Sequence, residues 1–186
     1  WLVPNHLIRR AAWAAAAERQ GVRCVCDARV TALHPTSDQT GVTLSDGRRL
    51  NALLVVAADS RFSQMRRLAG IGASMHDFGR SVVVGRVAHE QDNGGVAWEC
   101  FRYGNTLALL PLNKGQSSAV VTVASDQAPH WMALADAEFA ARVDAQSDRR
   151  LGVTATAGPR HLYPLVGVYA HRFVAARFAL MGDAAV

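Results

Sequence analysis

Lysine is nearly missing from this chain. Lys114 is the only one in 186 residues, although basic side chains number 20 against 15 acidic ones and the net charge is +5. A nucleic-acid binder needs a basic stripe interleaved with aromatics. Here aromatics make up 7% of residues and the arginines are scattered among acids, so that class is set aside. The arginine excess reads as compositional bias, and it leaves open an attraction to an anionic membrane surface. Cysteine is also scarce. Cys24, Cys26 and Cys100 are an odd number with one C-x-C pair, which is not a disulfide framework. No other ligands lie at suitable spacing, so buried, reduced thiols in a cytoplasmic protein are expected rather than a metal site. The histidines are His6, His34, His76, His89, His130, His161 and His171, and none forms an H-x-x-x-H pair. No apolar run approaches the roughly 18 to 20 residues that cross a bilayer.

Half of the chain is apolar and 19% is charged, which suffices to bury a core. The stretch "PNHLIRRAAWAAAAERQG" predicts a helix, with Pro4 tolerated in its first turn and Gly21 ending it. Its alanine-rich face is expected to pack closely on something. "VRCVCDARVTALHP" reads as a strand, with Cys24 and Cys26 on one face. Two more strands flank Asp46-Gly47, a strong hairpin turn signal. The run "LLVVAADSRFSQMRR" is a buried strand that delivers Asp59 into a turn and then a short helix. Ser63 is placed to cap that helix and Gly70 to stop it.

A second block follows. "RSVVVGRVAHE", "GVAWECFRYG", "NTLALLPLNKG" and "QSSAVVTVAS" are four strand-like runs with short turns, the spacing of an antiparallel meander. "MALADAEFAARVDAQ" carries helical periodicity. The chain returns through "HLYPL" to a last strand ending at Gly182-Asp183. An α+β fold is expected. An antiparallel sheet with one covered and one open face is a natural wall for an apolar ligand. Trp1 is not an initiator methionine, and "RFALMGDAAV" stops where a strand-to-helix turn begins, so the chain is expected to be a piece of a longer protein.

Two aspartates thus end apolar strands. "VVAADSRFSQMRR" resembles the Asp-Gly motif of the flavoprotein aromatic monooxygenases, the para-hydroxybenzoate hydroxylase superfamily. "RFALMGDAAV" resembles that family's Gly-Asp motif, and "HLYPL" its proline-bounded segment upstream. The order of elements along the whole chain is also the family's. The wording "VPN", "AADSRFS" and "GDAAV" is most similar to the ubiquinone-biosynthesis flavin hydroxylases. The resemblance implies part of an α/β FAD-binding fold (residues 1–78 and 166–186) with an inserted antiparallel-sheet substrate domain (residues 79–165). It implies FAD as cofactor and NAD(P)H as co-substrate. The reaction implied is hydroxylation of an aromatic, polyprenylated ubiquinone precursor with O2.

Residue roles follow from the same resemblance. Asp183, beside Gly182, would hold the ribityl chain of FAD. Asp59 and Arg66 would brace the turn beside the pyrophosphate, with Ser63 fixing it. Asn5 stands where the family often has a flavin-contacting Arg or Gln. Ser60 departs from the pattern, since glycine is usual after the first aspartate. The family's Gly-x-Gly-x-x-Gly loop is absent, and "GIGAS" lacks its third glycine, so these residues alone are expected not to hold FAD tightly. The cofactor carries the chemistry, so no acid–base triad is expected. Substrate contacts are expected from Trp98, Phe101, Tyr103 and Leu109, with Leu107 and Leu110 beside them; alternation puts about half of these on the ligand side. The competing readings are a flavin dehydrogenase or halogenase of the same fold, and a quinone- or lipid-binding scaffold without flavin. Association with a membrane periphery or a biosynthetic complex is kept open.

Overall fold

The computed structural model describes residues 3–186 as two compact units. One comprises Asp77–Leu165 with residues 3–4; the other comprises Asn5–His76 and Val166–Val186.

The second unit opens with helix α1 (Asn5–Ala17). Strands β1 (Val30–Pro35), β2 (Thr40–Leu44) and β3 (Arg49–Ala52) form an antiparallel meander. The β2–β3 turn is the expected Asp46-Gly47. Gly47 sits at φ +85° and Arg48 pairs with Asp46 at 2.6 Å. A second sheet pairs β4 (Val55–Ala57) in parallel with β12 (Phe178–Leu180), which in turn takes β11 (Val174–Ala175) antiparallel. Helix α2 (Gln64–Leu68) follows β4, and a 3-10 turn (Gly182–Ala184) follows β12. Ala57, Ile71, Phe178, Leu180 and Ala184 are buried together beneath these strand ends.

Three expectations for this unit fail. The run before Asp59 is not a buried strand: β4 covers only Val55–Ala57, Ala57 alone of it is buried, and Leu53, Leu54 and Val56 are half or more exposed. Strand β1 begins at Val30, not Val22, because Asp27 at φ +52° takes a left-handed conformation that breaks an extended run. Cys24 and Cys26 are therefore exposed rather than buried. Helix α1 forms as expected, but no residue of it is buried; Ile8 and Trp13 are each about half exposed.

The other unit is built on one antiparallel sheet. Its strands are β5 (Ala73–His89), β6 (Trp98–Arg102), β7 (Asn105–Leu112), β8 (Gln116–Ala124), β9 (Thr154–Thr156) and β10 (His161–Ala170). The order is β10-β5-β8-β7-β6, with β9 also on β5. Period-2 alternation sorts the side chains. The row Val83, Val121, Leu107 lies on one face and is fully buried. The row Val84, Val120, Ala108 lies on the other and is half-buried. The buried face is covered by α3 (Ala128–Ala133) and α4 (Asp136–Gln146).

The single expected helix is two, because Leu134 leaves helical geometry at ψ 142°. Arg160 makes the break tolerable: its guanidinium donates to the carbonyls of Trp131 and Leu134 and lies 5.2 Å over the Phe139 ring. Phe139 meets Trp131 edge-on at 6.2 Å and sits directly over Gly85. A Cβ at Gly85 would lie 3.1 Å from Phe139 Cε1 and 3.3 Å from Arg160 Cγ. Phe139 is wholly buried and has nowhere to retreat. We expect Gly85→Ala to cost about 1–3 kcal/mol by overpacking, read as a lower urea midpoint. Combining it with Phe139→Leu should restore part of that loss.

Candidate functional site

Strands β4 and β12 are adjacent and parallel, so the residues after their carboxyl ends are neighbours. The register aligns Ala57 with Leu180, and the Met181 amide extends the ladder to the Ala57 carbonyl at 2.9 Å. Asp59 and Asp183 follow these two ends. Ligands of open α/β sheets bind outside the carboxyl ends of parallel strands.

The turn after Asp59 is closed by a short relay. Ser63 Oγ donates to Asp59 Oδ1 at 2.6 Å and accepts the Arg66 amide at 2.9 Å, capping α2. The Met65 amide donates to Asp59 Oδ2 at 3.4 Å. Arg66 is 4% exposed and crosses to the other strand end. Its Nη1 donates to the Ala184 carbonyl at 2.8 Å and its Nη2 to the Arg61 carbonyl at 3.0 Å. The Asp59 turn and the Gly182–Ala184 turn are thereby tied by one guanidinium. The flanking arginines act alike: Arg61 donates to the Val166 carbonyl and Arg67 to that of Phe62. Among the described residues no carboxylate pairs with Arg66, so a buried positive charge remains under the two strand tips.

The two carboxylates differ. Asp59 is consumed by the relay. Burial raises its pKa, but the bonds from Ser63, Met65 and the local amides outweigh this and hold it below the ordinary 3.8. Asp183 is exposed and, among the described residues, accepts no hydrogen bond and joins no ion pair. Gly182 before it lies at φ +59°, a conformation that favours glycine. Ser60 has no positive φ, so the serine in place of glycine costs this turn nothing.

The remaining candidates separate. Asn5 opens α1, is exposed, and has no bond to the aspartate cluster among the described residues. Trp98 and Leu109 are direct cross-strand partners on the helix-covered face. Leu109 is 1% exposed, and Trp98 packs on the core beneath Arg150, 4.6 Å from its ring. Both leave the list of substrate contacts, as does Leu107. Phe101 lies on the open face, 70% exposed, and Tyr103 is fully exposed in the β6–β7 turn. The open face also carries Val82, Val84, Val120 and Leu110. Of these, the sequence reading had included only Leu110; alternation against the buried positions marks the three valines.

The chain belongs to the FAD binding domain family, whose model matches residues 3–186. Among named relatives it is 42% identical over 186 residues to the ubiquinone hydroxylase UbiM of Neisseria meningitidis, covering 100% of this chain and 40% of that protein. It is 38% identical over 185 residues to the ubiquinone hydroxylase UbiL of Rhodospirillum rubrum, covering 100% of this chain and 43% of that one. The chain thus spans less than half the length of these relatives. Its fold matches that of PqsL, a probable FAD-dependent monooxygenase of Pseudomonas aeruginosa, with a TM-score of 0.78 at 21% identity, covering 99% of this chain and 53% of that one. The site fits the cofactor of the family. A free carboxylate suits the hydroxyls of a ribityl chain, and an uncompensated buried guanidinium favours a nearby anion.

Two outcomes test this construction. Arg66→Met strands two carbonyl oxygens and should cost about 2–4 kcal/mol in denaturant unfolding. Arg66→Lys should recover only part of it, since an ammonium cannot span both acceptors in the same fork. The second concerns acid. A carboxyl depressed in the folded state contributes stability above its unfolded pKa and loses it as pH falls through the folded one. Melting temperatures should therefore drop below about pH 4, and Asp59→Asn should flatten that acid limb.

Proposed function

We propose that the protein containing this chain is an FAD-dependent monooxygenase that hydroxylates an aromatic ubiquinone precursor with NAD(P)H and O2. The observation that carries the proposal is the 42% identity to UbiM along every residue of the chain, joined to a strand-tip site that fits the family's cofactor.

In this reading Asp183 holds the ribityl hydroxyls, while Asp59, Ser63 and Arg66 position the turn on which it depends. FAD held there would, once reduced by NAD(P)H, activate O2 for transfer of one oxygen atom to the ring. The chain's own residues bind and orient the ring and keep water away. No side chain is assigned a proton transfer. The substrate lies on the open sheet face. Its central rows are Val84, Val120, Ala108 and Val82, Thr122, Thr106, Phe101. The charged side chains of that face are Arg80 and Arg86 on β5 and Glu99, which ends the first of these rows on the edge strand β6 opposite Ala108. A largely apolar wall with two threonine hydroxyls and its one acid on the edge strand suits a prenylated phenol better than a small hydroxybenzoate. Such a precursor is held in a bilayer, so the protein collects it at a membrane surface or from a partner enzyme. Among the described residues no helix is long and apolar enough to cross one.

The test uses the whole flavin-loaded protein. Asp183→Ala should weaken FAD about tenfold or more, followed by flavin fluorescence, with an unchanged melting temperature without flavin. Phe101→Ala should raise KM for a prenylated phenol more than it lowers kcat. Faster oxygen uptake with small polar phenols than with prenylated ones would overturn the substrate assignment. Lack of absorbance near 450 nm in the purified protein would overturn the cofactor assignment.

A further inference from the structure

A cavity of about 290 Å3 lies in the unit that carries the two aspartates, at the other end of β12. It opens beside Phe178, the first residue of that strand, whereas Asp183 follows the last. Leu33, Pro35, Leu68 and Phe178 make most of its wall, and Arg172 is its one charged lining residue. Among the described residues Arg172 makes no hydrogen bond and pairs with no carboxylate. Thr40 also lines the cavity. It is 1% exposed, and its hydroxyl has only a long 3.5 Å bond to the Arg177 carbonyl.

Arg177 sits at φ +55° in the two-residue turn between β11 and β12, the conformation tight hairpins require. Its Nε and Nη2 donate to the Ser37 carbonyl at 3.1 and 2.8 Å, and its own carbonyl accepts the Val55 amide at 3.0 Å. The β1–β2 turn and the β11–β12 turn, whose neighbouring residues Pro35, Thr40 and Ala176 line the cavity, are thus stapled together.

We propose that this cavity binds a small monoanionic amphiphile, with its carboxylate on Arg172 and its short apolar body against Leu33, Leu68 and Phe178. The features of the wall select that class. A neutral apolar guest would leave the guanidinium unused, and a dianion would find no second cation. The volume holds about ten water-sized groups, enough for a medium-chain carboxylate and too little for a polyprenyl tail. An arginine unpaired at the rim of an apolar pocket offers a charge-assisted fork to a carboxylate.

Octanoate, with about ten heavy atoms, is the probe, titrated into the protein by calorimetry with 1-octanol as the uncharged comparison. Saturable one-to-one binding is expected for octanoate. Arg172→Gln should weaken it about tenfold. Ala176→Trp, at an exposed turn position on the cavity wall, should abolish it by filling the mouth. Arg9→Gln, the same charge loss on α1, should leave it unchanged. Melting curves for each variant establish that it is folded. The proposal is overturned if octanoate gives no saturable heat, if 1-octanol binds as tightly, or if Arg9→Gln weakens binding as much as Arg172→Gln.

Discussion

The strand-tip site depends on one buried guanidinium. Arg66 joins the turn after β4 to the turn after β12, and among the described residues neither turn has another hydrogen bond to the other beyond the sheet ladder that ends at Met181. Burying a charge without a carboxylate partner is costly unless its donors are satisfied. Here peptide carbonyls supply the acceptors, so the positive charge is held in place without being neutralised. A carboxylate partner in their place would cancel that field. The choice of carbonyls keeps the strand tips attractive to an anionic cofactor.

The two aspartates show how similar sequence contexts diverge. Each follows an apolar strand, and each could be a cap or a ligand. Asp59 has a serine four residues on, placed to donate to it, and becomes part of the scaffold. Asp183 leads into a 3-10 turn in which no side chain reaches it, and it stays available. Burial and hydrogen bonding, rather than residue type, divide the structural role from the binding role.

Much of this was legible in the sequence. Asp46-Gly47 named its own hairpin, and Ser63 with Gly70 bracketed α2 at the right place. That residues 59 and 183 belong to one site came from the family resemblance of their two motifs; the parallel pairing of β4 with β12 is seen only in the structure. What was not legible has a common cause. Alternation divides a strand's side chains into two sets but does not say which set faces the core. For β6 and β7 that sign is set by α3 and α4, so Trp98 and Leu109 went under the helices while Phe101 did not. The same holds for α1, whose apolar stripe is plain in the sequence and which buries nothing among the described residues. The conformation of Asp27 and the break at Leu134 are single-residue backbone choices that no periodicity records.

The arginine bias has an evolutionary corollary. Three arginines near Asp59 all terminate on peptide oxygens, and Arg66, which spans two of them, needs a planar fork rather than mere charge. A lysine-rich lineage carrying the same domain would have to retain arginine at the position of Arg66 against the drift of its codon usage, while those of Arg9 or Arg10 on the exposed helix would be free to follow it.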